Sequence, residues 1–478
     1  MKLFTFLVVI IFLFAGCQSV KTNNNAPSYP WEEHGKLNAQ VGSRIIQHDD
    51  GTPFLWLGCT AWGMTEWLSR EEVDLYLDDR KSKGMNVVQL CFFWGKRVDN
   101  PTKFTANAPN FYGFKPLAEN NGFPDAKQSA VAEGGSPENP NDYWDHVDYC
   151  LKTIKERGMY AAVLPFWGRR YVNATHDGQS QHVFTMENIF EYGQFLGKRY
   201  GNEPHIIWVS GGDVRADHRG DYLPQYRLLA EGLLEGATGE KLKWDQPGEA
   251  WDKLFMTYHP DGSPMNNSSL WFHNDPWLDF NMIETYIHRD SIVKAVQQDL
   301  QLKNPKPTVL GEPHYEGITN NYLAEAINIR RQAYQSFFAG AAGFTYGGGF
   351  DKDGNGPLFS PANNWKPLLN MEGAGQLVHL KKFLEDHEWW NWELTDDLIV
   401  NGKGHGELEK LAVTSGEKVL VYCTDNSKFT LKQEHVEKMS WFNTKTGKSI
   451  PFAGEFQNEI SPPDGWEDAV LILELKTI

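Results

Sequence analysis

The sequence predicts an α/β protein, a (β/α)8 TIM barrel followed by a small C-terminal β-sandwich. Eight short apolar runs, each bounded by Gly, Pro or Asn, alternate with longer amphipathic stretches. Strand–helix alternation repeated in this way is the pattern of a closed parallel sheet. After about residue 387 the alternation stops, and short runs follow one another across turn residues with no helix between them. That second pattern is the mark of a sandwich. A chain of 478 residues has room for both units.

The apolar runs are Phe54–Ala61, Asn86–Phe93, Tyr160–Trp167, His205–Gly211, Leu254–His259, Met282–Ile287, Pro307–Gly311 and Gly343–Gly347. Ser69 and Glu72 stand at capping-box spacing before a helix that Gly84 ends, with Val73, Tyr76 and Leu77 forming its buried face. Further helices are predicted over Asp142–Arg157, Met186–Tyr200, Tyr222–Glu235, Asp290–Gln301, Tyr322–Ala339 and Gly373–Glu385. The stretch Gly95–Pro140 is long and rich in Gly, Pro and Asn, and reads as a cleft wall after the second strand. A doubly wound open sheet would want a Gly-rich phosphate loop after its first strand, and Leu57-Gly58-Cys59-Thr60 supplies none.

The N-terminus carries a separate signal. Lys2 precedes an apolar run from Leu3 to Phe14, then Ala15, Gly16 and Cys17. The run is shorter than the roughly 20 residues a spanning helix needs. Cys17 after Ala-Gly resembles a bacterial lipobox, in which it would be lipidated and become the mature N-terminus. The expected organisation is therefore a lipoprotein signal peptide with the lipidated Cys17 over 1–17, a polar tether over 18–34, the barrel over 35–386 and the β-sandwich over 387–478. An exported, lipid-anchored protein follows, at the periplasmic face or the outer membrane of a bacterium. The other cysteines, Cys59, Cys91, Cys150 and Cys423, form no CxxC pair. Buried free thiols are the default reading of Cys59 and Cys91, which lie in apolar runs.

Charge narrows the partners. With 45 basic and 62 acidic residues the net charge is −17, which argues against nucleic acid and against anionic membrane surfaces. Membrane contact is expected only through the N-terminal lipid. Aromatics make up 13% of the chain, including 18 tryptophans, as suits a core or a cleft in which flat faces stack on sugar rings.

In such a barrel, chemistry sits at the C-terminal ends of the strands. Those ends here carry Trp62, Trp94, Trp167, Asp213, His259, Glu284, Glu312 and Tyr346. Glycoside hydrolysis needs two carboxyl groups flanking one bond, one protonated and one ionised. Asp213 ends the fourth strand behind two glycines that let the backbone turn sharply. Glu312 ends the seventh, framed by Gly311 and Pro313. No His-Glu-x-x-His zinc signature and no Gly-x-Ser-x-Gly elbow occurs. Asp351-Lys-Asp353-Gly-Asn355-Gly356 imitates half of a calcium loop, but its twelfth position is Ala362, so a polar turn is the simpler reading. Neither a cofactor nor a metal is expected.

Several segments resemble the apiosidase-like glycoside hydrolases, glycoside hydrolase family 140 and its relatives. They are Phe54-Leu-Trp-Leu-Gly-Cys-Thr-Ala-Trp62, the run from Arg70 through Gly84-Met-Asn-Val-Val-Gln89, and Gly211-Gly212-Asp213. Later marks are His259-Pro260 followed by Ser268-Ser269, Asp279-Phe-Asn-Met282, and Gly311-Glu312-Pro313 with Tyr315-Glu316. The resemblance covers about residues 35–385. It implies Asp213 as acid/base, Glu312 as nucleophile and an oligo- or polysaccharide substrate of plant type, pectic and including apiose-bearing glycans. The segment around Trp441-Phe-Asn-Thr-Lys-Thr-Gly447 is similar to the small domain usually attached in this family, which has been labelled collagen-binding. Carboxylates on the fourth and seventh strands usually lie close together, and a separation of about 5–5.5 Å implies retention.

Substrate contacts are expected from Trp62, Trp94, Trp167, Arg169, His259, Glu284, Tyr286, Tyr315 and Tyr346. Arg169, Arg170 and Arg215 are the cations nearest the mouth, placed to meet a galacturonic acid carboxylate. Two departures from the family pattern stand out. Ile283-Glu284-Thr285-Tyr286-Ile287-His288 replaces a Gln-Ser-Gly-His-like sequence and adds a third carboxyl group near the mouth. Tyr346-Gly347-Gly348-Gly349 replaces a Tyr-Gly-plus-polar arrangement. The rival reading is a non-catalytic carbohydrate- or matrix-binding surface lipoprotein, with the C-terminal sandwich as the binder.

Overall fold

The computed structural model describes residues 28–95, 104–174, 181–320, 322–348, 365–395, 397–433, 435–454 and 457–476. Cys17 and the Asp351–Gly356 loop lie outside the described residues.

Eight parallel strands form the central sheet: β1 (Trp56–Thr60), β2 (Val87–Cys91), β3 (Tyr160–Leu164), β4 (Ile206–Gly211), β5 (Met256–His259), β6 (Asn281–Tyr286), β7 (Thr308–Pro313) and β8 (Gly343–Tyr346). Their order is β5-β4-β3-β2-β1-β8-β7-β6, with β8 pairing β1. At the seam between β5 and β6, Asp279 N donates to Met256 O at 2.9 Å, and Thr257 Oγ1 donates to Phe280 O at 2.6 Å. Met256 N returns a bond to Asp279 Oδ2 at 2.7 Å. These bonds close the barrel, and the TIM-barrel expectation holds.

The helices are α1 (Arg70–Ser82), α2 (Tyr143–Glu156), α3 (Ile189–Tyr200), α4 (Leu223–Thr238), α5 (Ile292–Leu300), α6 (Ala326–Phe338) and α7 (Glu372–Asp386). Ser69 caps α1 with Glu72 reaching back to its N–H, as the spacing predicts. Asp142 caps α2 through Asp145 N at 2.9 Å. Three predicted elements are corrected. Phe54 belongs to a small antiparallel sheet with Ile46–His48, and the barrel strand starts at Trp56. Tyr322–Leu323 pairs with Thr319–Asn320, so α6 begins only at Ala326. Within the predicted loop Gly95–Pro140, Leu117–Asn120 and Phe123–Ser129 pair antiparallel around Asn121 and Gly122, both at positive φ. An Asn-Gly pair suits such a turn because both residues tolerate that backbone region.

Beyond the barrel an antiparallel sheet of six strands contains β9 (Glu393–Leu394), β10 (Leu411–Ser415), β11 (Lys418–Cys423), β12 (Val436–Asn443), β13 (Lys448–Pro451) and β14 (Ala469–Leu475). The order is β9-β10-β11-β14-β12-β13. A second sheet, Ile399–Asn401 with Phe429–Leu431 and Glu459–Ile460, covers one face, completing the sandwich. Val421, Phe429, Trp441 and Leu471 fill the space between. The opposite face sends Leu420, Tyr422, Phe442 and Ile472 into the barrel's own core. Cys59, Cys91, Cys150 and Cys423 are free and buried. Among the described residues no helix is long and apolar enough to cross a membrane.

Candidate active site at the barrel mouth

Asp213 is set by three consecutive residues in the left-handed region: Gly211 (φ 87°), Gly212 (φ 117°) and Asp213 itself (φ 49°). A Cβ at Gly211 would stand 2.4 Å from His259 O, so this turn also requires glycine for space. Such a backbone costs energy at a non-glycine residue and persists only where the surroundings enforce it. The enforcing contacts are Arg169, whose Nη1 donates to Asp213 Oδ2 at 2.6 Å, and His259 Nδ1, 3.4 Å from Asp213 N. Burial pushes the Asp213 carboxyl up to about 6, reinforced by the Glu312 charge and opposed by Arg169. The side chain still presents 27% of its surface to the cleft.

Glu312 ends β7 with its carboxylate almost wholly buried. Gly311 before it leaves room for Met282, whose Sδ would lie 2.6 Å from a Cβ there. His259 Nε2 stands 3.1 Å from Glu312 Oε2, and the Tyr315 hydroxyl hydrogen-bonds the same carboxylate. Trp62 Nε1 in turn donates to Tyr315 Oη at 3.2 Å. Trp62, Tyr315 and Glu312 therefore form a chain of contacts leading outward from the core.

Glu284 lies directly opposite Glu312 in the ladder between β6 and β7. The register slips on both sides of it, between Ile283 and Glu284 and between Glu284 and Tyr286, and Tyr286 sits at φ 38°. Irregularities of this kind re-aim a side chain at a barrel rim. Burial pushes the Glu284 carboxyl well above the ordinary range, and the charges of Glu312, Asp213 and Asp261 act in the same direction.

One cleft of about 420 Å³ joins these groups. It is lined by Asp213, Glu284, Glu312, Arg169, Arg170, Trp94, Trp167 and Tyr286, together with Asp261–Ser263 and Ile287–His288. That size is in the range of ligand sites. A cavity of about 40 Å³ at the opposite end of the barrel, beside Leu37 and Ile207, is too small for a sugar. His259 is fully buried beneath the floor, in reach of Asp213, Glu284 and Glu312. The ligand atoms of His259, Glu284 and Glu312 lie within 4.8 Å of one another. So tight a cluster can converge on a cation or share a proton, and like charges this close cannot all ionise.

Several expected contacts are corrected. Tyr346 is buried away from the cleft, its hydroxyl donating to Glu316 Oε2 at 2.6 Å beside the Arg80 guanidinium. Trp62 and Tyr315 are also fully buried, so they brace Glu312 from behind and offer no face to a sugar. Trp94 and Trp167 do line the cleft, packed edge to face at 4.4 Å, though each exposes only a few per cent of its surface. The three arginines are engaged: Arg169 with Asp213, Arg170 with Trp94 O and its ring, and Arg215 with Asp217 at 2.9 Å. Asp261 and Gly262 were not singled out in the sequence, although the strand end before them, His259, marks the same rim.

The profile of the apiosidase-like catalytic domain matches residues 40–391. The chain belongs to the apiosidase-like family. Two solved structures resemble it over nearly its whole length. One is a glycoside hydrolase with 27% identity and TM-score 0.75, covering 94% of this chain and 98% of the other. The second is a family 5 glycoside hydrolase from Bacteroides vulgatus, with 25% identity and TM-score 0.76, covering 94% and 95%. A third glycoside hydrolase from that organism, 13% identical with TM-score 0.58 over 92% and 83%, shares the fold. No protein of curated function matches the sequence. This apiosidase-like chain is accordingly a glycoside hydrolase, an enzyme acting on carbohydrate.

Proposed function

We propose that this apiosidase-like enzyme hydrolyses a glycosidic bond of pectic, apiose-bearing glycans with retention, Asp213 serving as acid/base and Glu312 as nucleophile. The observation that carries the roles is the contrast between the two carboxyl groups across one cleft. Asp213, pushed up to about 6, can hold the proton that the leaving oxygen needs. Glu312 accepts from the Tyr315 hydroxyl, which orients it toward the cleft, and its Oε2 lies 3.1 Å from His259 Nε2. In the first step Glu312 attacks the anomeric carbon while Asp213 gives its proton to the departing oxygen, forming a glycosyl-enzyme. Asp213 then takes a proton from water as that water attacks the same carbon, and Glu312 leaves.

The test is wild-type enzyme, Asp213→Asn and Glu312→Gln on pectic oligosaccharides, with released sugars identified and the anomer followed by NMR. Glu312→Gln should lose about 10³-fold or more in kcat on every substrate. Asp213→Asn should lose far less on aryl glycosides whose leaving group needs no proton. Wild-type rates in either variant, or an inverted first product, would overturn the roles.

Export as a lipoprotein remains part of the same reading and rests on the Leu3–Cys17 segment. Growth with a palmitate analogue should label the wild-type protein and not Cys17→Ala; equal labelling would refute it.

A further inference from the structure

Glu284 is the group in this site for which the two-carboxylate scheme has no use. Its side chain is 4% exposed, yet it borders the cleft and stands opposite Glu312. Three features place it there deliberately. The register slips on both sides re-aim it, and Tyr286 carries the strained backbone that follows. Gly262 faces it: a Cβ at that position would stand 2.7 Å from Glu284 Oε1. Any other residue at 262 would push the carboxyl group out of position.

The charged and titratable groups around Glu284 come from every neighbouring element. They are Glu312 from β7 and Tyr315 after it, Asp213 after β4, His259 and Asp261 from the end of β5, and Arg169 after β3. Each of the other two central carboxyl groups has its own compensation. Asp213 has Arg169 at 2.6 Å, and Glu312 has the Tyr315 hydroxyl, although its Oε2, 3.1 Å from His259 Nε2, also lacks a hydrogen-bond partner among the described residues. Glu284 Oε2 stands 3.7 Å from His259 Nδ1, and that nitrogen already lies 2.9 Å from Pro260 O. Glu284 Oε2 is buried and has no hydrogen-bond partner among the described residues. A buried polar atom in that state is destabilising unless something else satisfies it. Where three acids converge, the one least compensated holds a proton most firmly.

We propose that Glu284 is a specificity-determining residue of this site: a neutral carboxyl group that donates a hydrogen bond to a hydroxyl of the sugar seated on Glu312. The inference rests on the glycosidase reading above. A carboxylic acid kept neutral for this purpose supplies one donor without adding a charge beside Glu312. A sugar lacking that hydroxyl would leave the donor unmet, which is how a hydrogen-bonding site rejects an analogue.

Two measurements test it. Difference infrared spectroscopy of the protein alone at pH 7 should show a protonated-carboxyl C=O band that Glu284→Gln removes. On the glycan cleaved by the wild type, Glu284→Ala should raise KM about tenfold or more, with a smaller effect on kcat. Glu284→Gln, which keeps a neutral donor, should recover most of that loss. The deoxy analogue of the sugar should show no further loss with Glu284→Ala. An infrared spectrum unchanged by Glu284→Gln, or an unaltered KM in Glu284→Ala, overturns the inference. So does Glu284→Gln falling to the level of Glu312→Gln, which would make Glu284 an ionised catalytic group. Calorimetric binding of Zn²⁺ or Ca²⁺ that Glu284→Gln abolishes would make it a ligand and overturn it too. Failure of the underlying reading looks different: Glu312→Gln would then be active while the infrared band remains.

Discussion

Arg169 and Asp213 form the pair on which the proton balance of the mouth depends. Burial raises the Asp213 carboxyl to about 6, and the guanidinium 2.6 Å away opposes that rise by favouring the charged form. An acid/base must hold its proton in the free enzyme, so kcat/KM should fall as pH rises through about 6. Removing the cation favours the protonated form. Arg169→Met should therefore move the alkaline limb of the kcat/KM profile to higher pH, while the contact that orients Asp213 is lost and the plateau drops. A limb that stays put, or moves to lower pH, would show that another group controls it. The same pairing bears on substrate. Arg169 is already engaged by Asp213, and Asp261 and Glu312 border the same space. A uronic acid seated directly on Glu312 would meet like charges, and each of the three arginines expected to receive a galacturonate already has a partner.

At the scale of elements, the parts legible in the sequence were those whose cause is local. The capping residues of α1 and α2 stand where the first unsatisfied N–H groups need acceptors, and they mark helix starts to within a residue. Glycines 211 and 212 signalled the turn at Asp213 because both take the left-handed region, and a Cβ at 211 would crowd His259 O. Asn121-Gly122 was an equally local sign of a hairpin, hidden by the polar composition of the stretch around it. Other features depend on distant partners. Nothing within Tyr322–Leu323 distinguishes a strand from the first turn of a helix, and its pairing with Thr319–Asn320 decides. Trp62, Tyr315 and Tyr346 stand at strand ends, where position favours the cleft. Whether such a ring turns outward or back is set by what it meets: Tyr315 for Trp62, Glu312 for Tyr315, Glu316 for Tyr346. Likewise the register slips that set Glu284 against Glu312 come from pairing two strands, which neither strand's sequence contains.

For the whole molecule, the question is whether the C-terminal sandwich is an appendage or part of the barrel's stability. Tyr334 on α6 stacks on Tyr422 of β11 at 5.0 Å, and Phe383 on α7 meets Phe442 of β12 at 4.7 Å. In the same interface Arg330 of α6 is 1% exposed. Its Nη2 lies 2.7 Å from Asp468 Oδ1, and Nε 3.0 Å from the same oxygen, with Gln376 and Glu467 as further partners. Tyr422 Oη donates to Asp468 Oδ2 at 3.1 Å. Removing one member of a buried pair strands the other charge, at a cost of about 3–5 kcal/mol. Arg330→Met should therefore lower the melting temperature of the barrel and of the sandwich together, seen by calorimetry as one shifted transition. The loss comes from the stranded Asp468 carboxylate more than from lost attraction. Arg330→Met combined with Asp468→Leu should accordingly recover part of the stability. If Arg330→Met melts the sandwich alone and leaves the barrel transition where it was, the two units are independent despite the apolar surface they share. Two coupled units would give the active-site strands β7 and β8 a second layer of support, because α6 connects them and carries Arg330 on its buried face.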